Sequence, residues 1–427
     1  MSVTPEGRTR AAVFTAYGVQ GTVFASLVTH VPTLQDRFGF SDGTLGLLLL
    51  AVPVIAGLGS VLAGALSSRY GSAPVLRISQ PAVCLSVWAI GASHHLGALL
   101  PALAAFGLFV GMVDASAGMQ GVLLEQRYAR NIMHGFFSVW SFAGILGAGI
   151  SSVTNHYDQP LARSLGIVAL AGVAASAYTG RWLLRGRPLA VAAVAPAPVA
   201  PAPIAPPPVA PDAATATVAQ AAAAPRAAAI PWRPVILVGL VVTFMYVADA
   251  ATSNFSAHYL QHELHGSDTV GPLAYAFYQA AMVLGRATAD RLVGRYGPVR
   301  IVRAGGLVAL AGIAVATVAP NPWVAIGGFF VLGAGLCPVA PQAFTAAGQL
   351  DPGGSGVAVA RINVFNYVGF VLGAPLIGLV TEAVNERVAF GLLLVFGLGI
   401  VALARAYDPQ RLRAAGQPTP GRAGSPV

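Results

Sequence analysis

The sequence predicts an all-α integral membrane protein, with twelve transmembrane helices arranged as two pseudo-symmetric six-helix halves. Three observations lead there. Only 9% of the 427 residues are charged while 56% are hydrophobic, against about 25% charged in ordinary soluble domains, so a water-facing surface cannot be built from this chain. Apolar runs of roughly 20 residues, the length that crosses a bilayer, recur twelve times. A loop motif that follows the second run returns at the matching place in the second set of six.

Taken in order, the first six spans fall at about 11–30, 44–66, 78–96, 98–122, 134–154 and 162–184. The second six fall at about 234–257, 270–292, 301–318, 321–347, 357–380 and 388–405. Residues 1–187 thus form an N-terminal half and 234–405 a C-terminal half, with 406–427 as a tail. The first span follows a polar stretch containing Arg8 and Arg10 and runs on without a small-residue cleavage site, so it is expected to stay uncleaved. Cys84 and Cys337 each sit in an apolar run without metal-ligand spacing, which reads as two small hydrophobes and no resident cofactor.

All 24 positive side chains are Arg. With the N-terminus inside, the cytoplasmic loops collect Arg8, Arg10, Arg69, Arg77, Arg127, Arg130, Arg181, Arg185, Arg187, Arg291, Arg295, Arg300, Arg303 and the tail from Arg405, leaving Arg37, Arg163 and Arg387 outside. Lys and Arg in short loops resist translocation, so both termini are expected in the cytoplasm of a bacterial inner membrane. The formal charge of +9 is spread singly or in pairs with no aromatic-interleaved basic patch, which excludes nucleic acid and favours the membrane surface.

Residues 188–233, with "PAPVAPAPIAPPPVAP" and an Ala-rich tract, form a cytoplasmic linker. Proline at this density blocks helix and favours extended chain, so a tether is expected, with a PxxP docking role as the alternative.

The repeat is visible in "SSRYGSAPVLR" at Ser67 to Arg77 and "VGRYGPVRIVR" at Val293 to Arg303. Matching loops in two six-helix sets argue for duplication. Gly64, Leu66, Arg69 and Gly71, and then Gly285, Arg286, Asp290, Arg295 and Gly297, resemble the loop motif of the major facilitator superfamily. In the first copy Ser68 replaces the usual Asp. The stretches "HVPTLQDRFGFSDGTLGLLLL", "GMVDASAGMQGVLLEQRYARNIMHGFFSVWSFAG", "LAYAFYQAAMVLGRATADRL" and "VFNYVGFVLGAPLIG" are similar to the bacterial inner-membrane branch related to fucose-permease-like sugar transporters. The resemblance implies a central cavity lined by spans one, four, seven and ten. It also implies loop Arg and Asp residues that tie helix ends together.

Asp114 and Glu125 are eleven positions apart, about three turns and roughly 16 Å on one helix face. Gly111, Gly118 and Gly121 lie near that face, leaving room for a cavity or a close neighbour. An ionised carboxylate buried in a membrane is costly, so Asp114 is expected to be hydrated, paired or protonated for part of the time. That is the behaviour of a proton-coupling acid; the plainer alternative is a packing hydrogen bond. Asp249 is the second candidate, in a polar stripe of Tyr246, Asp249, Ser253 and Ser256 at helical spacing. Gln20, Gln120, Gln279, Gln342, Asn363 and Asn366 place amides within spans, either for a ligand or for helix packing. Trp140 and Tyr278 could stack on a sugar ring or simply pack. Glu125 and His134, with Arg69, Arg286, Asp290 and Arg295, are gating candidates at helix ends, or an interfacial charge cluster.

These readings, with the resemblance, point to a secondary transporter working by alternating access. Protons are the expected coupling ion and a sugar-like polar solute the expected substrate, in a monomer embedded in the lipid bilayer. Proton-driven export of a drug or metabolite is the alternative, although span five reads "AGILGAGIS" without the Gly-Pro dipeptide of many exporters. A non-transporting receptor on the same fold is the alternative of another class. No nucleophile-base pair, metal cluster or nucleotide-binding loop is present, so no enzyme is expected.

Overall fold

The computed structural model describes residues 5–40, 42–128, 130–157, 159–184, 230–267, 270–271 and 273–416. Residues 188–229 of the expected linker, Arg185 and Arg187, and 417–427 of the tail lie outside the described residues, as do Asp158 and Asp268.

Described residues of the first set form α1 (Pro5–Thr29), α2 (Val31–Phe38), α3 (Asp42–Tyr70), α4 (Ser72–Ala92), α5 (Leu96–Tyr128), α6 (Met133–His156) and α7 (Leu161–Gly180). The second set is α8 (Trp232–His258), α9 (Leu273–Tyr296), α10 (Pro298–Thr317), α11 (Pro322–Leu336), α12 (Val339–Leu350), α13 (Val357–Ala383), α14 (Glu386–Leu403) and α15 (Pro409–Gly416). Among the described residues, eleven helices are long and apolar enough to cross a membrane, α11 and α12 counting as one. The remaining long helix, α9, has 24 residues, about 36 Å. Its Arg286, Asp290, Arg291 and Arg295 dilute its hydropathy without shortening it.

Three details differ from the sequence expectation. Span three starts at Ser72 and ends at Ala92, several residues earlier than hydropathy places it, because the chain reverses on Gly71 alone. Span ten is broken between Leu336 and Val339, where Pro338 has no N–H for the ladder. The short helices α2 and α15 were not expected. α2 sits beside the end of α4, whose Gly91 and Ser93 carbonyls accept from Arg37 Nη1 at 2.9 and 3.3 Å, a cation at a helix C-terminus.

The glycines of the two Arg-Tyr-Gly loops share one backbone conformation. Gly71 has φ 85° and ψ 159°, Gly297 φ 81° and ψ 156°, a region open essentially to glycine. A Cβ at Gly297 would meet nothing within 4 Å, so its cost is purely conformational. Gly71→Ala and Gly297→Ala are each expected to destabilise the protein by about 1–3 kcal/mol, read as matched drops in melting temperature in detergent.

Helix pairing follows one scheme twice. In the first set α1 packs on α6, α3 on α5, and α4 on both α5 and α7. Six spans later α8 packs on α13, α9 on α11, and α10 on both α11 and α14. Helices in lipid approach through small residues. A Cβ at Gly111 would lie 1.8 Å from the Ala56 carbonyl oxygen and one at Gly59 2.1 Å from that of Leu108, joining α3 to α5. In the counterpart pair, a Cβ at Gly333 would lie 2.4 Å from the Tyr278 carbonyl oxygen.

The two sets meet along α3 with α13, α6 with α9, and α5 with α12 and α13. The bonds that join them cluster at mid-depth and toward the end bearing the Arg-rich loops.

Candidate functional site

At mid-depth the two sets share one carboxylate. Asp114 lies 14 residues from the C-terminal end of α5, about 21 Å along the axis. Its Oδ1 accepts from Gln20 Nε2 of α1, and its Oδ2 accepts from the Tyr367 hydroxyl of α13. Gln20 belongs to the first set and Tyr367 to the second, so the carboxylate is held jointly by both. Small neighbours allow the approach: Ala115, Ser116, Ala117 and Gly118 follow Asp114, and a Cβ on Gly118 would strike Phe344 of α12 at 2.5 Å.

Asp249 forms a second centre within the C-terminal set, accepting from the Tyr278 hydroxyl of α9 at 2.6 Å. Tyr246, one turn earlier on α8, packs its ring on Phe370 with centroids 4.9 Å apart. Ser253 is exposed and its hydroxyl donates to the Asp249 carbonyl at 2.7 Å. Arg286 is buried nearby on α9 and lies within Coulombic range of Asp249, Tyr246 and Tyr278. Its Nη1 donates to the Ser141 hydroxyl of α6 at 2.7 Å, and its guanidinium sits 5.5 Å from the centre of the Phe137 ring.

Nearer the Arg-rich end, Glu125 bridges three elements. Its Oε2 accepts from the Ile132 and Met133 amides at 2.9 and 3.2 Å, satisfying orphan donors at the start of α6. Its Oε1 accepts from the Thr345 hydroxyl of α12 at 2.7 Å. His134 is fully buried, and its Nδ1 and Asp290 Oδ1 of α9 are 2.6 Å apart. Both contacts cross between the sets and both must break if this end opens. Beside them is a cavity of about 690 Å³, lined by Glu125, Arg130, Asp290, Arg291, Thr345 and Arg413 among others.

The remaining candidates divide. Asn363 donates to the Ser60 hydroxyl of α3 at 3.2 Å and accepts from Asn366 at 3.4 Å, so this pair lies on the seam between the sets. Gln342 is buried with its amide nitrogen unpartnered, while Gln279 is half-buried. Gln120 is not a cavity residue: it is fully buried and spends its amide on Ser72 and on the Leu184 backbone, pinning α5 to the ends of α4 and α7. Arg69 and Arg295 are exposed, each with its guanidinium 5.3 Å from the ring of the following tyrosine. They hold matched places at helix ends, and among the described residues neither bonds across the seam. Ser68 donates to the Ala65 carbonyl one turn back at 2.8 Å. Trp140 packs against Phe24 at 6.1 Å. Sequence reasoning missed Tyr367, Ser60, Thr345 and Ser141, although "NVFNY" places Asn363 and Tyr367 one turn apart on a single face.

Two interlocked six-helix sets, joined at one end and sharing mid-depth polar groups, define a multi-pass membrane transporter. Residues 239–426 match the model of the Major Facilitator Superfamily. An uncharacterized MFS-type transporter of Yersinia pestis is 27% identical over 92% of this chain and 94% of its own length. The solved structure of the major facilitator transporter FucP in the outward conformation has a TM-score of 0.70 at 14% identity, covering 93% of this chain and 98% of the other. The human organic anion transporter MFSD10 gives 0.72 at 15% identity, covering 94% and 100%. The chain therefore has a fucose-permease-like fold and is similar over nearly its whole length to an MFS-type transporter.

Proposed function

We propose that the chain is a proton-coupled secondary transporter that carries a small, polar, sugar-like solute into the cell by alternating access. The observation that carries this reading is the Asp114 carboxylate held by Gln20 of one set and Tyr367 of the other. A proton taken up there removes an acceptor from the contact between the halves, so loading the acid weakens their mid-depth tie. Intramembrane ionisable groups mark ion and substrate pathways. The halves are residues 1–187 and 234–405, joined by the 188–233 tether, and they rock as bodies about this point. The positive-inside rule puts the Arg-rich end and both termini in the cytoplasm of a bacterial inner membrane. Bonds between the halves at that end suit an outward-facing state, the conformation of the FucP structure whose fold the chain shares. FucP is a fucose:proton symporter with a TM-score of 0.66 at 15% identity in a second structure, which supports the coupling ion and the substrate class. The unit is a monomer.

The test is proton movement in liposomes carrying the purified chain and an internal pH dye. Externally added solute that enters by symport acidifies the lumen, whereas a drug exchanged for internal protons alkalinises it. Acidification by polar solutes is the expected result. Alkalinisation by amphiphilic drugs would replace import with export, and a silent dye during measured solute uptake would remove the proton.

A further inference from the structure

We propose that Arg286 is the recognition site for a carboxylate, so that the transported solute is a small hydroxylated organic anion and not a neutral sugar. This deepens the reading above and rests on the central region being the transport site. Arg286 stands 13 residues from one end of α9 and 10 from the other, about 20 and 15 Å, and is only 5% exposed. A guanidinium carries five N–H donors and does not lose its proton. Here Nη1 reaches Ser141 while Nε has no partner. Among the described residues, none of the ion pairs includes Arg286.

Every carboxylate of the region is committed elsewhere. Asp290 is bonded to His134, Asp249 to Tyr278, Asp114 to Gln20 and Tyr367, and Glu125 to Thr345 and two amides. The interior therefore contains a fixed cation whose protein partners are a hydroxyl and the Phe137 face. An unpaired charge at this depth is expensive, and the guanidinium fork matches a carboxylate with two parallel bonds. Phe137 in turn packs on Phe344 at 5.6 Å, and Tyr246, Tyr275 and Tyr278 lie within Coulombic range of the guanidinium. Aromatic faces and hydroxyls around one cation suit a compact, hydroxyl-bearing acid. An anion at Arg286 and a proton at Asp114 enter together as a neutral pair.

The experiment uses matched solutes on the full chain: glucose beside glucuronate, galactose beside galacturonate, and 4-hydroxybenzyl alcohol beside 4-hydroxybenzoate. Binding is read as protection against thermal unfolding, and transport as luminal acidification. The native chain should be protected by at least one acid and not by its neutral partner, with affinity falling about 10- to 100-fold in Arg286→Gln, the scale of a lost charge-assisted bond. Arg286→Lys should recover part of it, and Ser141→Ala, which removes only the protein partner, should keep the preference for the acid. The inference is overturned if a neutral member binds as well as its acid, if no acid protects the native chain, or if Arg286→Gln keeps the acid preference. Acid binding without acidification leaves the carboxylate site standing and removes the proton-coupled reading, while acidification driven by a neutral sugar does the reverse.

Discussion

Asp114→Asn is expected to abolish solute-driven proton movement, reducing the dye signal to the leak of empty liposomes, while leaving solute exchange intact. The argument rests on what the substitution keeps. Asparagine has the same shape and still accepts one hydrogen bond, but it cannot carry a proton. Its new amide donor would face either Gln20 or Tyr367. Gln20 can turn its own amide over, because its Oε1 is buried and unpartnered in the native protein, and the pair then re-forms with donor and acceptor exchanged. The helices α1 and α5 thus stay joined and the fold is expected to persist. Counterflow of labelled against unlabelled solute, which needs no proton gradient, separates a coupling defect from a binding defect. Concentrative uptake by Asp114→Asn at the native level would falsify the assignment and move attention to Asp249.

Gly111→Val is expected to have the largest effect on folding. Even the first carbon of the new side chain would lie 1.8 Å from the Ala56 carbonyl oxygen, with Ala56 Cα at 2.8 Å. The obstacle is backbone, which no rotamer change relieves. Either α3 and α5 separate along their length or the pair fails to form, at a cost of about 3 kcal/mol or more. Since a whole fold is held by only about 5–15 kcal/mol, most of the chain should elute as aggregate in size-exclusion of detergent extracts. The comparison is Gly327→Ala in α11, where a Cβ meets nothing within 4 Å. There, removing a mid-helix glycine should leave the melting temperature unchanged or raise it.

The helices were legible because lipid imposes one rule, a long apolar run, and the repeat was legible because two loops keep the same three letters. Boundaries were less so. The reversal on Gly71 and the break at Pro338 depend on single backbone positions that a hydropathy window averages away. At the site, a lone carboxylate within an apolar helix is conspicuous, so Asp114 and Asp249 drew notice. Tyr367 did not, since a tyrosine in such a helix reads like any packing aromatic. Gln120 shows the converse, an amide indistinguishable in sequence from Gln20 yet wholly absorbed by two helix ends. The partners of Glu125 and His134 lie 220 and 156 residues away, and a single sequence carries no record of such pairings.

The seams α3–α13 and α6–α9 are counterparts under the six-span shift, yet their chemistry has parted company. Along the first, Ser60 donates to the Ala360 carbonyl at 3.1 Å, Asn363 donates to the Ser60 hydroxyl at 3.2 Å and a Cβ at Gly64 would touch Ala360 at 2.6 Å; these groups are uncharged. Along the second stand His134, Asp290 and Arg286. A joint built on uncharged packing keeps its strength as salt and acidity change, while its counterpart, whose His134–Asp290 contact is ionic only when the imidazole is protonated, is the one that solution conditions can reach. Positions that the repeat makes equivalent are thus not equivalent in chemistry.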